Sequence, residues 1–500
     1  MEEKHIVAIE IGSSKLRGAL GVIEPNGTLN VVAVHDEPLI DSVRYGQIRN
    51  VEEVGSRIDT ICKRLQKHPL IQSRKIDSVY VGLSGLSLTA VPKTVEKQLN
   101  EGTEISAEII DEMRHKAAAV PSSGREILLT LPREFNVDNR AAANPVGTIG
   151  SYVKATFNAI EAQPSLKNNI ERVIRERLGL KINDFIVAPI AQAEAVLRTE
   201  EMKLGCVFVD FGAETTTIAI YKNGALRYLA TLPIGSRNIT RDLMSLNMLE
   251  DRAEHIKRTS GNALNNSMST PRVAAQDSPD INEVNNYVAA RAGEIVANIL
   301  AQVEYSGFKD SDLPEGFVLV GGGVNLRGFS DLLHNKSGQK VRRGEILPSK
   351  VRVSDTSIQS TAVIDVISLL INATKNNPDE CVEKAAPGQH PHAQRHYEDE
   401  PRPHYSTDSR HDDRHHSRPM RDDDYYDDDP DVSRIGRYDG DEDDVFLPKK
   451  EGRRSEKDGN SKKENKKKDD EPKKPGILDR FRDRMAKLLN DDFDEEDDEE

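Results

Sequence analysis

Two stretches of this chain follow one grammar. The first runs through Ile9-Glu-Ile-Gly-Ser-Ser-Lys and the second through Cys206-Val-Phe-Val-Asp-Phe-Gly-Ala-Glu-Thr-Thr. Each reads as an apolar strand ending in an acidic residue, then a glycine two places on, small hydroxyl residues, and another strand. A repeat of this kind constrains the fold more than composition does, because it requires two related halves that face one another.

The surroundings repeat as well. Pro25-Asn26-Gly27 turns the first unit into a third strand at 31–34, and Asn223-Gly224 does the same for the second. A helical pattern covers 51–65, and 79–83 reads as a buried strand. Helical spacing at Leu166, Ile170, Val173, Ile174 and Leu178 stops at Gly179, and 187–197 continues the first unit. Between these, 84–162 changes character and reads as a small inserted α+β module. The stretch 238–308 is largely helical, interrupted by a polar loop near 262–280, before Phe317-Val-Leu-Val-Gly-Gly-Gly returns a strand. The expected fold class is α/β. One domain is assembled from 1–83, 163–202 and a return helix in 356–376, with 84–162 inserted, and a second domain occupies 203–355.

The chain has 500 residues, more than one core usually fills. From Asn376 onward 25 Lys and Arg stand against 39 Asp and Glu, a net of −14, so nearly all of the formal −15 lies there. The near-neutral body carries no basic footprint for nucleic acid, and none is expected as a partner. Cys62, Cys206 and Cys381 have neither disulfide density nor metal-ligand spacing, which suits a reducing cytosol. Neither a signal peptide nor a run of about eighteen apolar residues is present, so membrane association is expected to be peripheral.

Residues 377–475 lack periodicity and read as a disordered charged linker, since they bury too little apolar area to offset their conformational entropy. Its seven histidines between His390 and His416 show no ligand spacing. At 476–490 an amphipathic helix is expected. With 3.6 residues per turn, Ile477, Leu478, Phe481, Met485, Leu488 and Leu489 form one stripe, with Arg480, Arg482, Arg484 and Lys487 beside or opposite it. That composition fits an interfacial membrane helix or a helix docked on protein. The lysines at 462–474 favour an anionic surface, whereas the acidic tail 491–500 opposes it.

An acid at a strand end followed by a glycine turn suits a phosphate and a metal. Glycine admits phosphate oxygens close to the backbone, and Ser13, Ser14, Thr215 and Thr216 add donors. Lys15 offsets phosphate charge, and Glu10 and Asp210 suit Mg2+ held through waters. These motifs resemble the actin-like ATPase superfamily, whose adenosine motif is matched by Leu319-Val-Gly-Gly-Gly-Val-Asn-Leu-Arg-Gly. Within it the chain is most similar to the FtsA family of bacterial cell-division proteins, through Glu-Ile-Gly at 10–12, Val-Tyr-Val-Gly-Leu-Ser-Gly at 79–85, Asn-Pro-Val-Gly at 144–147 and Ser-Thr-Ala-Val at 360–363. The likeness covers about 5–372, and that family also ends in a linker and a membrane-targeting helix.

The resemblance implies an actin-like two-domain fold with ATP and Mg2+ in the cleft. Gly12, Ser13, Ser14 and Lys15 would meet the phosphates from one side, and Asp210, Gly212, Glu214 and Thr215 from the other. Gly321, Gly322, Gly323 and Asn325 would flank adenosine. Glu254 with Lys257, and Arg291 with Glu294, match positions lining the nucleoside pocket, although such i,i+3 charges also fit a helix surface. No residue is singled out as the catalytic base; Gln192 and Glu194 are candidates by position. The implied role is a self-associating tether that holds the C-terminal peptide of FtsZ, works with other division proteins, and sits on the cytoplasmic face of the inner membrane. An actin-fold ATPase or kinase, or a related shape or pilus-assembly protein, shares the motifs. Two positions depart from the pattern: Ala213 and Glu214 stand where consecutive glycines are usual, and Ile364-Asp365 where glycine is common. At about 4 Å and an effective dielectric near 20, a carboxylate repels phosphate charge by roughly 4 kcal/mol, so Glu214 should point away or act through the metal.

Overall fold

The structure is a computed structural model and describes residues 3–71, 74–265, 279–355 and 358–383. Strand Lys4–Ile11 is buried at nearly every position, as a strand covered on both faces must be. It pairs antiparallel with Lys15–Ile23, placing Glu10 opposite Arg17, and parallel with Ser78–Leu83. Leu29–Pro38 and the short Arg352–Val353 extend one side, and Lys181–Val187 the other.

The second sheet repeats this plan. Cys206–Phe211 pairs antiparallel with Thr216–Lys222, which pairs with Ala225–Leu232. On its other side it runs parallel with Phe317–Val320, then Val341–Arg343. The sequence repeat is therefore a repeat of mixed sheets, with both acid–glycine turns leaving the middle strand at its C-terminal end.

Helix Val51–Leu65 packs on the first sheet through Val54, Ile58, Ile61 and Leu65, and Asn50 caps it by accepting the Glu53 N–H at 2.9 Å. The apolar helices Ala188–Val196 and Ile364–Ala373 pack on one another, and the latter lies against Lys4–Ile11.

The inserted stretch builds its own sheet. Strand Ile149–Ala162 lies between Thr89–Glu104 and Glu126–Val137, with Arg140–Ala142 at the edge. Helix Ala107–Ala118 covers a separate core of Ile105, Met113, Val137, Val153 and Phe157. Asp138 and Asn139 take φ of 45° and 63° in a two-residue hairpin turn, and the Asp138 carboxylate accepts the Tyr152 N–H at 2.9 Å. Against the second domain, Asn158 Nδ2 donates to the Leu226 carbonyl at 2.7 Å and Arg133 to the Arg227 carbonyl at 3.2 Å.

One boundary differs from expectation. Residues 377–383, read from sequence as the head of the linker, belong to the folded body. The Cys381 N–H donates to the His5 carbonyl at 2.8 Å, Asp77 N–H to the Cys381 carbonyl at 3.1 Å, and Glu383 N–H to the Lys75 carbonyl at 2.9 Å. Cys381 and Val382 are buried, and the Glu380 carboxylate accepts the His5 N–H at 2.8 Å. This segment satisfies backbone groups at the start of Lys4–Ile11 and before Ser78–Leu83 that would otherwise lack partners. The linker beyond it, the 476–490 helix and the acidic tail lie outside the described residues.

Because Phe157 is fully buried in the module's separate core, Phe157→Ala is expected to destabilise that module by about 3–5 kcal/mol. Hydrogen-exchange protection should fall across 89–162 while residues 4–23 keep theirs.

Candidate functional site

Both repeat turns close in the same way. The Gly12 N–H donates to the Lys15 carbonyl at 3.1 Å, and the Gly212 N–H to the Thr215 carbonyl at 2.9 Å. A Cβ on either glycine would stand 3.0 Å from the carbonyl oxygen its own N–H binds, so a side chain there would push the turn open. In the first turn Ser13 is half-buried and Ser14 exposed, and Lys15 makes a surface pair with Asp36 at 3.2 Å. Exposed pairs contribute below about 1 kcal/mol, so Lys15 is readily drawn to a stronger anion.

Behind the turns lies a group of acids. Glu10 is buried; its Oε1 accepts the Ser84 hydroxyl at 3.4 Å, while its Oε2 has no hydrogen-bond partner. Burial, then the charges of Asp365 and Asp210, push Glu10 up to about 8. Burial and Asp365 likewise push Asp210 up to about 6, against the opposing effect of a hydrogen bond from Gln192. Asp365, on the first turn of its helix, accepts from Arg17, which also reaches Asp36 at 3.2 Å. Burial alone would lower the Arg17 pKa, but Asp365 and Asp36 hold it above its ordinary value.

Sequence reading treated Asp365 only as a departure from pattern and overlooked Arg17. The available signal was register, because Arg17 faces Glu10 across the hairpin. The two candidates on helix Ala188–Val196 separate. Gln192 is buried and bonded to Asp210, whereas Glu194 pairs with Lys375 and accepts from Asn372 at 3.5 Å.

Glu214 is buried, and partners within the protein engage its carboxylate. Its Oε1 receives Arg241 at 3.0 Å and Arg237 at 3.5 Å, and its Oε2 accepts the Tyr45 N–H at 3.0 Å. Thr215 sits half-buried beside it.

On the adenosine-motif side, Gly321 takes φ of 91°, and a Cβ there would meet Asp210 Oδ1 at 2.5 Å. A Cβ on Gly323 would strike the Phe211 ring at 2.6 Å, and that ring stacks on Phe329 at 4.4 Å. Gly322 faces open space, and Asn325 accepts from Arg343 at 3.4 Å. On helix Glu250–Ser260, Lys257 is buried and donates to the Ser236 carbonyl at 3.0 Å and the Thr240 hydroxyl at 2.9 Å. Burial lowers its pKa. Burial would raise Glu254, but Lys257, paired at 2.6 Å, keeps it below the usual value. Glu254 also lines an open cavity of about 510 Å3 with Asp251, His255, Arg258 and Thr259. Arg291 binds Asp242 through two nitrogens, Nη2 at 2.9 Å, and pairs with Glu294, bracing helix Ile281–Tyr305 against Ser236–Met244.

Three carboxylates against the Arg17 guanidinium leave excess negative charge, and Glu10 Oε2 is a buried acceptor without a donor. A hard dication fits both features. Among the described residues no three His, Cys, Asp or Glu side chains converge enough to hold a metal alone. That agrees with Mg2+, which keeps waters and takes substrate phosphates beside one or two carboxylates. Glu10 and Asp210 are the side chains suited to it.

Residues 207–363 match the family described as cell division protein FtsA, and residues 85–161 match the SHS2 domain inserted in FtsA. The cell division protein FtsA of Porphyromonas gingivalis is 31% identical over 353 residues, covering 69% of this chain and 72% of the relative. That of Pseudomonas aeruginosa is 27% identical over 391 residues, covering 75% and 91%. Among solved structures, the PilM–PilN type IV pilus biogenesis complex aligns over 74% of this chain and 98% of its own, with a TM-score of 0.54 and 17% identity, which speaks to fold alone. The architecture is an actin-like α/β fold carrying an SHS2 insertion.

Folded Glu10 holds its proton up to about 8, against an ordinary value of 4.5. The folded state therefore binds more protons, and the resulting stability is full below 4.5 and lost as pH rises through about 8. Glu10→Gln imitates the protonated group. In nucleotide-free protein the melting temperature of the unaltered chain should fall relative to Glu10→Gln across that interval; parallel curves would rule out a strained carboxylate.

Proposed function

This chain belongs to the FtsA family of cell-division proteins, and from that premise we propose that it is an ATP-binding, self-associating tether between FtsZ and the cytoplasmic membrane. The observation that carries the nucleotide reading is the pair of matching glycine turns, each following an acid at the end of a middle strand. Gly12, Ser13, Ser14 and Lys15 receive the phosphates from one sheet, and Gly212 and Thr215 from the other. Gly321, Gly322, Gly323 and Asn325 flank the nucleoside, next to helix Glu250–Ser260 with Glu254 and Lys257. When bound, Mg2+ would neutralise phosphate charge and relieve repulsion among the carboxylates.

Glu214 does not repel the phosphates in this reading, because Arg237 and Arg241 neutralise it. Gln192, hydrogen-bonded to Asp210, is placed to orient a water, whereas Glu194 serves structure through Lys375. Turnover, if any, is secondary to binding.

No helix among the described residues is long and apolar enough to cross a membrane. Membrane contact is assigned to Ile477, Leu478, Phe481, Met485, Leu488 and Leu489, with the lysines at 462–474 adding about 1 kcal/mol each near an anionic surface. A lone helix of this size binds marginally. Self-association multiplies the helices, so nucleotide regulates avidity without altering any one of them. The FtsZ C-terminal peptide is assigned to the second domain.

The deciding experiment is liposome flotation of the full chain and of a truncation ending at Pro475, with and without Mg-ATP. The full chain alone should float, more strongly with Mg-ATP. If both forms stay in solution while ATP is rapidly hydrolysed, the tether reading fails and an enzyme takes its place. Asp210→Asn should weaken Mg-ATP binding about 10- to 100-fold by calorimetry, with Glu194→Gln nearly neutral. Affinity in the unaltered chain should rise as pH passes from about 6 toward about 8, because protons compete for the same carboxylates.

A further inference from the structure

The small hairpin of Val43–Arg44 and Gln47–Ile48 turns through Tyr45 and Gly46, at φ of 51° and 85°. A tyrosine in that region is rare and persists only where its surroundings hold it. Here it is gripped from two sides. Glu214 Oε2, from the second domain, accepts the Tyr45 N–H at 3.0 Å. The Leu86 N–H, at the root of the inserted module, donates to the Tyr45 carbonyl at 3.0 Å. Gly46 approaches that root so closely that a Cβ would lie 2.4 Å from the Gly85 Cα. The backbone of one residue thus joins the second glycine turn to the strand root from which the module springs.

Glu214 is well fixed for such a task. It is 2% exposed, and its other oxygen is held by Arg241 and Arg237. Arg237 is in turn held by Glu250 at 2.7 Å and Asp41 at 3.4 Å, and its own N–H donates to the Ala213 carbonyl at 2.7 Å. The Ser236 N–H binds the Gly212 carbonyl at 3.0 Å, so the start of helix Ser236–Met244 moves with the turn.

We infer that Glu214 is a positioning residue which, through the Tyr45 backbone, couples occupancy of the second phosphate turn to the root of the inserted module at 84–88. The inference rests on the nucleotide reading given above. It explains why an acid stands where relatives of this fold favour glycine: the side chain faces the opposing domain, and its oxygen is the only link from the turn to Tyr45 among the printed bonds of the described residues.

Hydrogen exchange of the full chain, read on peptides covering 41–46 and 84–88 with and without Mg-ATP, tests this. Nucleotide binding is measured separately by calorimetry. In the unaltered chain Mg-ATP should slow exchange in 84–88 several-fold. Glu214→Ala should bind nucleotide yet leave 84–88 unchanged, whereas Glu214→Gln, which keeps an oxygen for the Tyr45 N–H, should restore the slowing. Transmission through Glu214→Ala overturns the inference, as does a Glu214→Gln variant that behaves like alanine, since charge alone would then be at work. Loss of nucleotide binding in Glu214→Ala also overturns it, by placing the residue in the nucleotide's own shell. Intact binding by the unaltered chain without any change at 84–88 sinks the inference alone; absence of binding sinks the nucleotide reading and the inference with it.

Discussion

The arrangement depends on like charge gathered where two sheets end. Glu10 and Asp210 each close a middle strand, and Asp365 enters from a helix packed beside them, with Arg17 as the nearby counter-charge. Burial raises the free energy of every unneutralised carboxylate, so two of these acids hold protons well above the ordinary range. The apolar strands and helices around them are what keep the group from relaxing into water. A ligand that brings cationic charge therefore meets a site already primed to favour it, and the cost of assembling the acids is met by the two hydrophobic cores.

Much of this was legible in the chain because it is set locally. The glycine turns, the helix Val51–Leu65 and the buried strand Ser78–Leu83 follow from periodicity and turn chemistry within a few residues. The inserted module declared itself by alternation along Thr89–Glu104 and Ile149–Ala162. What stayed hidden is what depends on distant partners. Asp365 joins Arg17 across nearly the whole fold, and no local pattern marks that pairing. Gln192 and Glu194 lie about 200° apart around a helix, so only the seating of that helix decides which one reaches Asp210. Glu214 breaks a glycine pattern for reasons found in Tyr45, Arg237 and Arg241.

The inserted module is tied to the rest by more than its two chain crossings. Asn158 and Arg133 bond the edge strand Ala225–Leu232 of the second domain, and Arg227 returns an ion pair to Glu134 at 3.1 Å. At its base Glu161 is fully buried between Lys93 at 3.3 Å and Arg125 at 3.9 Å. Removing one partner of such a group leaves an uncompensated charge, which is far costlier than the pair is beneficial. The module's pose is therefore specified by polar geometry at both ends, while its own stability comes from a separate apolar core.

The segment 377–383 bears on mechanics. Its backbone bonds to His5, Asp77 and Lys75 stitch the end of the described chain to the two strands at the middle of the first sheet. Tension arriving from the C-terminal side is delivered to the strand that carries Glu10, and three backbone bonds share the pull before the sheet itself is strained. A chain fastened at a surface loop would unravel there first; this one passes load to its stiffest element.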